Sequence, residues 1–500
     1  MNFFGREQIL IPYTSDEITM ENIGEIVQSI MPTVEKNSVE FVNLERYYRG
    51  QQDILDKRRM TETEASKNNI VVENHAYKIA NFKTSYLIAD GFKYSQDSDK
   101  STNDVTFLNK YFLEENKVAK DTELALNMYI GGTGYKFFRP QPRKYKGVRR
   151  SPFNFAVLDN DKTFVAYSTD VCREKVLSGY YVPIKKDDKF LYQITVYTDE
   201  KVFTCESNQK FAVDESTLKS YKNVIGINPI VEYPLNKARL GAVEVVKLLL
   251  DSVNTIASNQ VDNLVDFVNS LLVLYNIQLD PEKVKSSRAL GTVAVTDVSP
   301  EMRAKIEYIA KQLNQAEINE TRETLVRTAY EITGTPLTLT QASSGGDTGE
   351  ARKLGDGYQG ADMMINIEQS FFLASERESL EIELKICKSK ADSEIDELYS
   401  GDIQINPTRH NTDNLMVKTQ SLETLDRIGF PEEASLISVG LGSNPHELAM
   451  AWRARKEQNK SIIDSTKPKE DLGNGEFDDI KNPTVGDSKQ ATSTPTIEEI

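Results

Sequence analysis

Histidine is nearly missing from this chain: His75, His410 and His446 are the only three in 500 residues, and they lie far apart in sequence. The three cysteines, Cys172, Cys205 and Cys387, include no C-x-x-C pair. So sparse and odd a set excludes a disulfide framework and fits reduced thiols in a cytosolic protein. No stretch carries the Gly-Lys-Ser/Thr ending of a phosphate-binding loop, and no serine sits on a nucleophile elbow. The longest uncharged apolar run, Phe267 to Leu279, is thirteen residues and contains Asn269, Asn276 and Gln278. A spanning helix needs roughly twenty. Met1 to Tyr13 has no long apolar core, so no signal peptide is expected, and the expectation is a soluble chain. A basic excess is missing too. Lys and Arg number 60 against 76 Asp and Glu, a net charge of −16, which excludes tight nonspecific DNA binding through phosphate neutralisation. The expectation is no enzyme, no metal and no cofactor.

What the chain does have is a pair of long helical signals. From Glu244 to about Leu272 apolar residues recur at helical spacing (Val246, Leu249, Val253, Ile256, Leu264, Val268, Leu271) with no Pro or Gly between them. Roughly thirty residues rising 1.5 Å each make a rod of about 45 Å. A return helix is predicted from about Pro300 to Ile332, with Gly334 just past its end. Between them, Tyr275 to Ser299 holds a turn at Pro281-Glu282 and a β-like run, Gly291 to Val295. Val245, Leu248 and Phe267 lie off the main stripe of the first rod, so a lone hairpin could not bury them all, and a homo-oligomer follows. After Gly334 comes Thr340, Gln341, Ala342, Ser343, Ser344, Gly345, Gly346, Asp347, Thr348, Gly349 and Glu350, a stretch with no core-forming residues and therefore an exposed loop.

Taken in order, a polar leader opens with a helix from Ser15 to Ile30, followed by a second helix from Val39 to Tyr48. Helices are predicted at His75 to Ala89, Val105 to Phe112 and Asp121 to Tyr129, with a short strand at Phe92 to Tyr94. Gly131-Gly132-Thr133-Gly134 then reads as a helix-to-strand turn needing positive φ, not a phosphate cradle. From Tyr135 to Tyr233 the pattern is strands of a largely antiparallel sheet, with Asn160-Asp161 and Asp199-Glu200 as hairpin turns. Asp159, Asp161 and Asp170 sit on turns of this region and read as solvated rather than metal-ligating. A very long helix follows the Gly/Ser loop, from Leu354 or Tyr358 to Lys390. A short strand, Ile403 to Pro407, precedes helices at Thr412 to Ile428, Glu432 to Val439 and Pro445 to Gln458. Ser461 to Ile500 carries nine acidic and four basic residues, and its composition predicts a disordered tail.

The order of these signals resembles the portal proteins of tailed bacteriophages, in the branch of siphophages of Gram-positive hosts. Tyr47-Tyr48-Arg49-Gly50-Gln51-Gln52-Asp53-Ile54 looks like that family's opening Tyr-Tyr-x-Gly-x-x-x-Ile. Asn69 to Asn74, then Ile79, then Tyr86 to Tyr94 resembles its next block, with Ala89 where the family often has Gly and no Pro near Phe92. Gly226 to Tyr233 resembles the lead into the first stem helix. Ser344-Gly345-Gly346 to Gly349 resembles a tunnel loop, and Ile428 to Glu433 with Asn444 to Glu447 resembles crown helices.

The resemblance implies an α+β portal fold. Its parts would be a leader (1–38), a wing (39–239), a first stem helix (240–272), a clip (273–307), a second stem helix (308–334), a tunnel loop (335–353), a long wing helix (354–392), a crown (393–460) and a tail (461–500). It implies a dodecameric ring at one capsid vertex of the virion, assembled in the host cytoplasm, with double-stranded DNA passing through the channel. Partners would be the large terminase subunit, head-completion or adaptor proteins, scaffold and major capsid protein, and no membrane. Thr340 to Glu350 would line the narrowest passage, where Gly and Ser give backbone freedom and little charge to trap DNA. Arg352 and Lys353 at its exit are candidate DNA-facing cations, or simply a solvated helix start. A head or tail subunit without a channel, and a nucleic-acid enzyme, are the alternatives from other classes. The first lacks a reason for the rod–insert–rod–loop order, and the second lacks a phosphate-binding loop.

Overall fold

The computed structural model describes residues 5–56, 69–89, 91–96, 104–145, 148–186, 189–268, 271–275, 305–309, 315–337, 358–390, 393–407, 415–439 and 445–466. The chain divides into two units, Met1–Thr412 and Asp413–Ile500.

The first unit opens with β1 (Ile9–Ile11), a 3-10 turn at Ser15–Glu17 and α1 (Ile23–Tyr48). The two separate helices expected here are one. Pro32 lies inside it, where its missing N–H leaves the carbonyl of Gln28, an exposed residue, without its helical partner. The buried stripe Ile23, Ile26, Ile30, Val34, Phe41, Leu44 runs through it without interruption. Next come α2 (His75–Ile88), β2 (Phe92–Gln96), α3 (Asp104–Glu114) and α4 (Lys117–Gly131).

The strand region follows: β3 (Thr133–Pro140), β4 (Lys144–Tyr145), β5 (Val148–Arg149), β6 (Phe153–Leu158), β7 (Thr163–Ser168), β8 (Lys175–Lys186), β9 (Lys189–Tyr197), β10 (Lys201–Ser207), β11 (Lys219–Lys222) and β12 (Ile230–Pro234). They form a six-stranded sheet of order β1-β7-β8-β9-β10-β11 and a three-stranded sheet of order β12-β3-β6. Every pairing in them is antiparallel except β1 on β7, where Ile9 lies opposite Ala166. Asp199-Glu200 does turn a hairpin, with Val202 opposite Tyr197. Asn160-Asp161 does not: it carries the chain from β6 in one sheet to β7 in the other. Asn160 Nδ2 fixes that crossover by donating to the carbonyls of Thr133 (2.7 Å) and Asn127 (3.2 Å).

α5 (Ala242–Val268), β13 (Leu271–Tyr275), β14 (Lys305–Ile309), α6 (Gln315–Thr333), α7 (Tyr358–Lys388) and β15 (Ile403–Pro407) complete the unit. β15 pairs with β2, so residue 405 lies beside residue 94. The main core gathers α2, α3, α4, α7 and the three-stranded sheet around Phe138, Phe153, Phe155, Tyr233 and Phe372. A second core lies between α1 and the six-stranded sheet, joining Ile9, Ile11, Ile18 and Ile26 to Phe164, Leu177 and Ile194. The stretch expected to be a leader therefore supplies half of a core. Arg6 continues this: its guanidinium pairs with Glu244 at 2.6 Å and Glu40 at 3.2 Å, and its N–H donates to the Arg239 carbonyl.

The second unit holds α8 (Leu415–Arg427), α9 (Glu432–Val439) and α10 (Pro445–Thr466). Lys456 ties α10 to Asp426 and Glu432, and Arg453 binds Glu432 at 2.7 Å. α10 continues six residues past the predicted start of the tail at 461; residues 467–500 lie outside the described residues.

Gly132 ends α4 with φ +82°, and a Cβ there would stand 2.0 Å from the Arg239 carbonyl oxygen. Gly429 has a similar φ of +77° but open space around it. Gly132→Ala should therefore cost both the left-handed penalty of about 1–2 kcal/mol and a backbone clash, whereas Gly429→Ala carries only the first. Urea midpoints of the two variants against wild type check this; equal losses would contradict it.

Candidate functional site

The two rods differ from expectation at their joined ends. α5 stops at Val268, and Leu271-Leu-Val-Leu-Tyr275 leaves the helix as β13. It pairs antiparallel with β14, Leu271 opposite Ile309 and Tyr275 opposite Lys305. The return helix, expected from about Pro300, consequently begins only at Gln315. The signal was present in Lys305-Ile-Glu-Tyr-Ile309, whose β-branched and aromatic residues favour a pleated surface over a helix. The Pro281-Glu282 turn and the Gly291 to Val295 run lie outside the described residues. So do the loop Thr340 to Glu350 and the cations Arg352 and Lys353, which therefore receive no geometry. The elements on either side of the loop do meet: Gly334, at φ +63° just beyond α6, packs against Met364 of α7.

Where α5 is rooted, it carries a buried polar edge. Lys247, Asp251, Asn254, Ser258 and Asp262 follow at spacings of three and four, which places them on one face of the helix. An extended segment, residues 69–74, lies along this face and uses its last three rungs. Asp262 accepts from the Asn69 N–H at 2.8 Å, Ser258 from the Val71 N–H at 3.0 Å and Asn254 from the Glu73 N–H at 2.8 Å. Alternate residues of an extended chain present their N–H to the same side, so alternating donors meet one row of acceptors. Asn254 also donates to Gln52, and Tyr47 OH reaches Asp251 at 2.9 Å. The motif stretches 47–54 and 69–74 thus converge on one helix.

The strap ends at a hub joining both rods. Glu73 forms an ion pair with Arg322 of α6 at 2.9 Å and lies 3.0 Å from His75 Nε2, while His75 Nδ1 lies 2.8 Å from the Tyr330 hydroxyl on α6. The His75 hydrogen bond, with the Arg322 charge beside it, outweighs partial burial and holds the Glu73 carboxyl below its ordinary value. His75 looked isolated in sequence, and nothing there marked Arg322 or Tyr330 as its neighbours.

Away from the strap, α5 is apolar and uncovered. Val245 and Val261 are exposed, and Leu248 and Leu264 are 67% and 52% exposed. Leu264 belongs to the predicted buried stripe, yet it lies beyond the part of α5 that the body covers. Val261 and Leu264 line a groove of about 330 Å³ between α5 and α6, together with Val71, Ala257 and Ile318. The open face of α6 is acidic: Glu317, Glu320, Glu323 and Glu331 are exposed against one cation, Arg327. Among the described residues no cluster of His, Cys, Asp and Glu suits a metal ion, and no helix is long and apolar enough to cross a membrane.

Paired rods with flanks that one chain leaves bare define a structural subunit built to pack against copies of itself. The family described as "Phage portal protein, SPP1 Gp6-like" matches residues 36–461, and the chain belongs to it. Members of that family form the channel at a capsid vertex, as oligomeric rings within the virion that meet capsid and tail proteins. No curated protein matches the sequence. Among solved structures, a chain in the neck of an empty GTA particle, computed with C6 symmetry, is 11% identical; the match covers 74% of this chain and 91% of that one, with a TM-score of 0.41. A chain in the virion of a native gene transfer agent particle is 13% identical over 81% and 94%, also at 0.41. Overlaps that loose transfer no residue correspondence.

Asn254→Ala should release the Glu73 N–H and Gln52 together, costing about 2–3 kcal/mol. Amide exchange should speed up at Val71 and Glu73 and leave the six-stranded sheet unchanged; uniform acceleration would count against a local strap. Glu73→Gln tests the hub by pH. A depressed carboxylate stabilises above its unfolded value and loses that contribution as pH falls through the folded one. Wild type should therefore lose more stability than the variant on acidification below about pH 4.5.

Proposed function

We propose that this portal subunit forms a dodecameric ring whose channel passes double-stranded DNA during packaging and ejection. In this reading α5 and α6 are the stem, β13 and β14 open and close the clip, and residues 335–353 are the tunnel loop. Residues 39–239 with α7 form the wing, the stretch to about 460 forms the crown, and the rest is the tail. The observation that carries the reading beyond the family is the pairing of bare apolar flanks on α5 with an acidic open face on α6. The apolar flanks are a packing surface for neighbouring stems. The acidic face suits a passage, because like charge keeps phosphates from sticking.

The large terminase subunit would dock on the clip during packaging, and head-completion or adaptor proteins would replace it there. Scaffold and major capsid protein would meet the wing, in the host cytoplasm during assembly. The chain is read as non-enzymatic. A head or tail subunit lacking a channel would pack its rods without leaving an acidic lining.

Negative-stain images of the purified protein test the assembly: rings with a central hole are expected, and solid or monomeric particles would sink the reading. Leu248→Glu should cut ring yield at micromolar concentration with the subunit still folded by circular dichroism. For the loop, Gly345→Val with Gly346→Val should spare rings and capsid incorporation but block DNA packaging or retention by restricting the backbone. Ser343→Arg with Ser344→Arg should impair passage through phosphate attraction, easing as salt rises. Normal packaging by both variants would make the loop a surface connector.

A further inference from the structure

The centre of the first unit holds five ionisable side chains sealed from water. Lys117 and Asp121 come from α4, Lys136 from β3, and Glu376 and Glu383 from α7, all of them buried. The donors are unevenly shared. Glu376 receives Lys117 at 2.6 Å, Lys136 at 3.0 Å, Tyr94 OH at 2.8 Å and Tyr233 OH at 2.7 Å. Asp121 receives Lys136 at 2.7 Å and Lys117 at 3.0 Å. Among the described residues Glu383, 1% exposed, receives nothing on either carboxyl oxygen. Two cations face three carboxyls, so full ionisation would leave one uncompensated negative charge in a sealed, low-dielectric site.

We propose that each subunit holds a proton on Glu383 at neutral pH, and that its release is an alkaline switch loosening α7 from α4 and β3. The groups facing Glu383 are Lys117, Asp121, Lys136, Glu376 and Tyr94, with Cys387 one turn along α7. Burial is the largest influence and pushes its carboxyl from an ordinary 4.5 up to about 8; Glu376 and Asp121 add to it, and the two lysines oppose it. Glu376 is driven the other way, far below the carboxylate range, because the lysine charges and hydrogen bonds outweigh its burial. The proton therefore belongs to Glu383. Between pH 4.5 and about 8 the native chain keeps this proton and the unfolded chain does not, so its stabilising effect fades across that window as pH rises. α7 is the helix that the candidate tunnel loop leads into, so the switch acts on the first rigid element beyond that loop.

The test compares full-length wild type with Glu383→Gln, which keeps the shape and removes the ionisation. The urea midpoints should agree near pH 5. The variant's should then pull ahead as pH rises, and the gap should stay constant above about pH 8. Calorimetry at pH 6.5 in buffers of different ionisation enthalpy should count about one more proton released per chain on unfolding wild type than the variant. Amide exchange along α7 should accelerate between pH 7 and 9, beyond its ordinary base dependence, in wild type alone. Parallel midpoints, equal proton counts or equal exchange would overturn the proposal. A wild-type midpoint that changes when sodium replaces potassium at fixed ionic strength, absent in the variant, would assign the charge balance to a bound cation and overturn it too. If Glu383→Gln fails to fold, Asp121→Asn decides: removing one competing carboxylate should move the wild-type decline to lower pH, and an unmoved decline would refute the mechanism.

Discussion

Everything about the rods depends on how a backbone segment without a sheet finds partners for its N–H groups. Residues 69–74 are extended and half-buried, and a buried N–H left unpaired costs about 1–3 kcal/mol. α5 supplies acceptors at its own spacing, Asn254, Ser258 and Asp262, matched to donors at strand spacing. Three to four residues along a helix cover about 5–6 Å, and two residues along a strand cover about 6.6 Å. That near-equality lets one element read the other.

The same accounting explains which parts were legible in the sequence. That the stretch from Tyr135 to Tyr233 forms strands was plain, although β4, β5 and β11 had no signal of their own. Which strand joins which sheet was not, because β6 and β7 are joined by an ordinary-looking Asn-Asp turn whose role is set by the carbonyls that Asn160 finds. α1 was divided into two expected helices, 15–30 and 39–48, because the polar residues between them carry no apolar run, while the one buried stripe that joins them is set by the sheet they pack on. β14 was absorbed into the return helix although its residues favoured a strand. The hub of Glu73, His75, Arg322 and Tyr330 had no local signature, since His75 and Tyr330 are 255 residues apart.

Charge is distributed with different consequences at each depth. On the exposed face of α6 it is mostly of one sign, useful for repulsion across a gap. At the strap hub it is paired and half-exposed, so it positions more than it stabilises. In the core of the first unit it is sealed, and an excess of one carboxyl forces protonation rather than pairing.

The N-terminal seam carries a consequence for how the molecule is made. Arg6 ends beside Glu244, 238 residues away, and β1 adds in parallel to a strand that is complete only at Ser168. A ribosome releases Ile9, Ile11, Ile18 and Ile26 long before any of the surfaces that cover them. The second core therefore stays open until the strands of the six-stranded sheet have been made, and the Arg6–Glu244 pair forms only when the start of α5 has emerged. This early-made, late-docked stretch leaves apolar surface open to association between nascent siblings until the seam shuts.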